Sequence, residues 1–157
     1  MLRKYKNEED VFELLRLFET GTISRDDWRH AEHLVVALCY LTDRPLDEAT
    51  DKMRSGIFNL LGAFGVDLSK EMPYHETLTV FWMRTAYAFT LMTAELPLYE
   101  RANRIIDAFD KDYPLRFYSK ELLFSDRARA EYVEPDLSQP DHSASATSVN
   151  AALSTPA

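Results

Sequence analysis

The chain has 157 residues, 46% hydrophobic and 28% charged, a composition that belongs to a globular domain with its own core rather than to a disordered or fibrous chain. With 18 Lys and Arg against 26 Asp and Glu, the net charge is −8, which leaves no basic footprint for a phosphate backbone, so nucleic acid is not an expected partner. The single cysteine, Cys39, excludes an internal disulfide, a cysteine-based zinc site and a CxxC redox pair.

The four glycines form neither a dinucleotide fingerprint nor a phosphate loop, and no GxSxG elbow occurs. The first residues, MLRKYKNEED, lack the apolar stretch of a signal peptide. No apolar run approaches the roughly 20 residues of a membrane helix. The expectation is a cytoplasmic protein that does not enter membranes.

Val11, Leu14, Leu15 and Phe18 recur with helical spacing and predict a first amphipathic helix, stopped at Gly21. A second helix is expected to open at Ser24, with Asp27 answering as the acid of a capping box, and to run to Leu41. Pro45 suits the first position of a third helix, whose stripe is Ala49, Met53, Ile57, Leu60, Leu61 and Phe64.

A loop over 65–74 leads to a fourth helix from about His75 to Leu96. Its run VFWMRTAYAFTLM is apolar nearly all round and predicts the central, buried helix. After Pro97 a fifth helix covers about Leu98–Asp110, and short pieces capped by Ser119 and Ser125 follow. From Pro135 onward the chain has no aromatic residue, no Lys and no Arg, but three of the seven prolines. This predicts a domain over 1–134 and a disordered tail over 135–157. The expected fold is all-α, a helical bundle of four main helices plus shorter C-terminal ones.

Three of the four histidines fall in two short motifs, Trp28-Arg29-His30-Ala31-Glu32-His33-Leu34 and Tyr74-His75-Glu76-Thr77-Leu78-Thr79. His30 and His33 share a helix face. His75 opens the fourth helix and Glu19 ends the first. If the second and fourth helices run parallel, all four residues meet at one end of the bundle. Three imidazoles and a carboxylate suit a divalent metal: Fe, Zn, Mn or Cu.

The motifs WxHxxHL and YHETLT resemble those of small uncharacterised bacterial all-helical proteins, over about residues 17–90. The resemblance implies that Glu19, His30, His33, His75 and Glu76 act together, and it implies no reaction. The paired Glu-x-x-His motifs of ferritin-like di-iron proteins are missing, because Thr22 and Thr79 stand three residues after Glu19 and Glu76.

The leading expectation is therefore a metalloenzyme, an oxidoreductase or hydrolase with a non-haem site, iron favoured, acting on a small-molecule substrate. Glu19, His30, His33 and His75 would be ligands and Glu76 a general base. Asp27 would orient a ligand or bind a second metal. Thr79, Trp82 and Arg84 would contact substrate. The alternative is a non-catalytic helical module that binds a protein or small ligand, with the His/Glu cluster as a structural polar layer. Trp82 on an aromatic stripe reads more readily as plain core, and Arg84 more readily as the partner of an acid inside the bundle.

Overall fold

The computed structural model describes residues 5–142 and is all-helical there, with no strand among the described residues. The helices are α1 (Glu8–Glu19), α2 (His30–Thr42), α3 (Leu46–Ala63), α4 (Glu76–Met92), α5 (Leu98–Ala108), α6 (Lys120–Leu123) and α7 (Asp126–Ala130), with a 3-10 turn over Tyr113–Arg116. Both α1 and α3 end in the same way. Gly21 at φ 70° and Gly65 at φ 76° take the left-handed conformation just past the helix. The next amides, Thr22 and Val66, reach back to the carbonyls of Leu17 and Leu61. Ser119 and Ser125 cap α6 and α7 through their hydroxyls, as their positions in the sequence predict.

The second helix starts later than expected. Ser24 closes only a single turn, in which its hydroxyl accepts the Asp27 amide at 3.2 Å. The acid that caps α2 is Glu32, whose Oε1 accepts the Arg29 backbone N–H at 3.0 Å. Glu32 is 2% exposed. A carboxylate so placed satisfies one orphan amide and lies at the positive end of the helix dipole.

The central helix is also α2 rather than α4. Ala31, Glu32 and every residue from Leu34 to Leu41 are buried, and α2 packs against α1, α3, α4 and α5. The α4 run is apolar all round for a different reason: the helix lies between two cores. Met83, Ala86 and Phe89 face the main core. Phe81 enters a second cluster with Tyr118, Leu123, Ala128 and Val133.

The segment after α7 is tied to α4 rather than free. The Thr77 hydroxyl donates to the Glu131 carbonyl at 2.9 Å and accepts the Val133 amide at 3.2 Å. Asp136 accepts both the amide and the hydroxyl of Ser119, at 2.7 and 2.6 Å. His142 packs on Phe81 and hydrogen-bonds Thr85 at 2.7 Å. Packing thus extends at least to residue 142, past the expected boundary at 134. The rest of the expected tail, 143–157, lies outside the described residues.

Gly56 on α3 lets Phe18 of α1 pass: a Cβ there would lie 2.5 Å from the Phe18 ring. Phe18 is wholly buried, so the ring has no room to swing away. Gly56→Ala is expected to destabilise the fold by about 1–2 kcal/mol despite alanine's better helix propensity. A lower thermal midpoint by circular dichroism checks this.

Candidate functional site

The N-terminal turns of α2 and α4 border one cavity of about 370 Å³. His30, His33 and His75 all line it, as do Trp28, Thr79 and Trp82. Ala37, Met53, Ile57, Leu78 and Met83 supply its apolar wall. The convergence of the three histidines expected from their motifs is thus present.

Each of two histidines is held by an indole and a backbone carbonyl. Phe18 stacks on Trp28 with ring centroids 4.6 Å apart, and Trp28 in turn lies 4.2 Å from the His33 ring. The Nδ1–H of His33 donates to the Arg29 carbonyl at 3.1 Å. His30 packs 4.7 Å from Trp82, and its Nε2–H donates to the Phe109 carbonyl at 2.9 Å. A carbonyl only accepts, so these bonds set the tautomers. The unprotonated nitrogens are His30 Nδ1 and His33 Nε2.

Burial among apolar walls lowers both rings. His33 is held at about 4, with the neighbouring His30 adding to the effect against the Arg29 carbonyl bond. His30 is also lowered by burial, although the Phe109 carbonyl and the nearby Asp110, Glu32 and Asp112 favour its charged form.

His75 is different. It is the N-cap of α4, and its Nδ1 accepts the Leu78 amide at 3.1 Å. Its Nε2–H donates to the Leu123 carbonyl at 2.6 Å. One nitrogen caps α4, the other ties it to α6, and His75 is 7% exposed. Burial lowers its pKa as well.

Glu19 is not at this cavity. It accepts the Tyr40 hydroxyl at 2.8 Å and lies 3.9 Å from Lys52 Nζ, lining a separate cavity of about 650 Å³. Tyr40 stands seven residues beyond His33, roughly 10 Å along the helix. Glu76 is clamped by Arg54, with Nε at 2.9 Å and Nη2 at 2.8 Å, and accepts the Tyr74 hydroxyl at 2.5 Å. Burial pulls the Glu76 carboxyl upward, but the Arg54 and Tyr74 hydrogen bonds outweigh it and hold the group below its usual range. That is the reverse of what a general base near neutral pH requires.

Asp27 is exposed in the turn before α2, away from the cavity lining. Arg84 also lies elsewhere. Its Nη1 donates to the Tyr132 hydroxyl at 3.1 Å and its guanidinium covers the Tyr132 ring at 4.5 Å. Thr79 lines the cavity while its hydroxyl donates to the His75 carbonyl at 3.0 Å, and Trp82 is the wall beside His30.

The expected metal ligands therefore do not come together as donors. Among the described residues no group of three or more His, Cys, Asp or Glu side chains is placed to hold a metal ion. The donor set does not fit the metal: the His75 nitrogens are occupied, Glu19 is elsewhere and Glu76 is neutralised by Arg54. The thiol of Cys39 is buried and pushed up to about 12, so it is not a nucleophile near neutral pH.

The sequence reading missed Tyr74, Arg54 and Lys111. Lys111 lines the cavity from the loop after α5. It reads in the sequence as one charge of an interleaved surface stretch, because only the fold carries that loop to α2.

Two outcomes are expected. In the unfolded chain the imidazoles titrate near 6.5, whereas His30, His33, His75 and His142 are all lowered in the fold. Below about 6.5 the unfolded chain binds protons that the folded chain refuses. Stability is therefore full above pH 6.5 and falls as the pH drops toward 4. Urea midpoints measured from pH 7.5 to 4.5 check the sign, and His33→Gln is expected to flatten the slope. His75→Ala, which strips the α4 cap and leaves the Leu123 carbonyl without its donor, is expected to cost about 2 kcal/mol in the same assay. Compared with protein families, curated proteins and solved structures, the chain matches none.

Proposed function

We propose that this chain is a binding protein for a small, planar, mainly apolar molecule, which enters the cavity between α2 and α4 and hydrogen-bonds to His30 and His33. The observation that carries this reading is the pair of fixed neutral imidazoles. Each leaves one nitrogen lone pair uncommitted beside an indole wall. Such nitrogens accept N–H or O–H groups from a ligand.

A volume of about 370 Å³, with an apolar wall and few polar atoms, has the character of a small-ligand pocket.

Binding is favoured over catalysis by the low basicity of His33. A ring held at about 4 is a poor proton acceptor for a reaction at neutral pH, but it remains a good hydrogen-bond acceptor. The metalloenzyme reading would require His75 to leave its cap and Glu19 to leave Tyr40.

The test uses untagged protein and indole as a neutral planar probe. Indole is expected to bind with saturation by ligand-observed NMR. His30→Phe and His33→Phe, which remove the acceptors and fill the space, are expected to weaken binding more than about tenfold, a loss of more than about 1.4 kcal/mol, with helix content unchanged. Mass spectrometry after incubation with Fe(II), Zn(II), Mn(II) or Cu(II) is expected to find no stoichiometric metal. Stoichiometric metal that disappears in His75→Ala would overturn the reading and restore the metalloenzyme.

A further inference from the structure

The charges that line the cavity are of one sign. Arg29 and Lys111 border it, and among the described residues no Asp or Glu does. This is notable in a chain with a net charge of −8. The nearby acids are accounted for elsewhere. Glu32 is buried and holds the Arg29 amide. Glu76 is paired with Arg54. Asp110 and Asp112 flank Lys111 in the chain but are exposed and outside the lining, and Asp110 accepts the Asp112 amide at 2.9 Å.

Both cations are exposed, so they stand at the mouth rather than in the apolar interior. Lys111 takes part in none of the ion pairs among the described residues. Arg29 makes one loose contact, Nε to Glu32 Oε1 at 3.8 Å, and keeps its other guanidinium donors.

The interior is divided in the same ordered way. The Tyr74 and Thr79 hydroxyls direct their protons to Glu76 and to the His75 carbonyl. Together with His30 and His33 they offer the ligand acceptors, not donors. Indole and imidazole rings supply the walls against which an aromatic ring packs.

Resting on the binding reading above, we propose that the occupant is a small aromatic carboxylate. Its ring lies in the apolar interior against Trp28 and Trp82, an N–H or O–H of the ring faces His30 and His33, and its carboxylate is held at the mouth by Arg29 and Lys111. The two cations distinguish this anion from a neutral or cationic molecule of the same shape, because the rest of the acidic surface repels it.

Three probes of one shape and different charge test the class: indole-3-acetate, indole-3-acetamide and tryptamine, titrated by calorimetry. The acetate is expected to bind about fivefold or more tighter than the acetamide at low salt, and tryptamine weakest. The preference is expected to shrink in 0.5 M NaCl, where the Debye length falls to about 4 Å from about 30 Å at 0.01 M. Arg29→Gln with Lys111→Gln is expected to abolish the preference while acetamide still binds and helix content is kept, since both side chains are exposed and the Arg29 amide still meets Glu32. Tightest binding by the acetamide or by tryptamine would overturn the carboxylate while leaving the cavity reading intact. Failure of all three probes, together with indole itself, would overturn the cavity reading.

Discussion

The arrangement of the cavity depends on the hydrogen bond from the Arg29 amide to the buried carboxylate of Glu32. That bond sets where α2 begins. Residues before Arg29 are then free to leave the helical path, so Trp28 turns back onto the His33 ring instead of continuing along the helix. The Arg29 carbonyl at the same junction accepts the Nδ1–H of His33. One capping residue thus fixes the start of the helix, the place of an indole and the tautomer of an imidazole. Had α2 opened at Ser24, Trp28 would lie one turn along the helix from Ser24 and could not stack between Phe18 and His33.

The second constraint is the double packing of α4. A helix with a core on each side must be held at both ends against slipping. At its N-terminus His75 both caps the helix and bonds the Leu123 carbonyl of α6. Two residues later Thr77 bonds the chain at Glu131 and Val133. These contacts join the small C-terminal core to the main one and place Leu78, Thr79 and Trp82 at the cavity. A histidine that reads as a metal ligand is thereby a structural joint, and the difference lies in its nitrogens: both are committed to the backbone, whereas His30 and His33 each keep one uncommitted.

Much of the fold was legible because helix periodicity and end signals are local. The stripes of α1 and α3, the stop at Gly21, the loop that begins at residue 65 and the caps at Ser119 and Ser125 follow from residues within a few positions of one another. The start of α2 was misread for the same reason. Ser24 and Asp27 form a local cap signal, and they do close a turn, but the buried Glu32 offers the longer helix a better one. The meeting of three histidines was legible from the pairing of two helix N-termini. Glu19 was not, because its direction depends on a tertiary partner: the Tyr40 hydroxyl holds it at a separate cavity, farther along α2. The central role of α2 was hidden by α4, whose all-round apolar run serves two cores at once.

The electrostatics of the cavity follow from competition between burial and nearby acids. Asp110, Glu32 and Asp112 all favour a charged His30, yet desolvation is the larger effect and keeps the ring on the neutral side. For His33 the charge that acts on the ring is that of His30, so protonating either ring opposes protonating the other. The cavity therefore presents neutral acceptors inside and positive charge only at its mouth. A divalent metal has little to gain there, because its charge would face Arg29 and Lys111 with no carboxylate lining the cavity among the described residues. A carboxylate-bearing ligand reverses the sign of that interaction, and its ring finds the indole walls that Phe18 and the start of α2 hold in place.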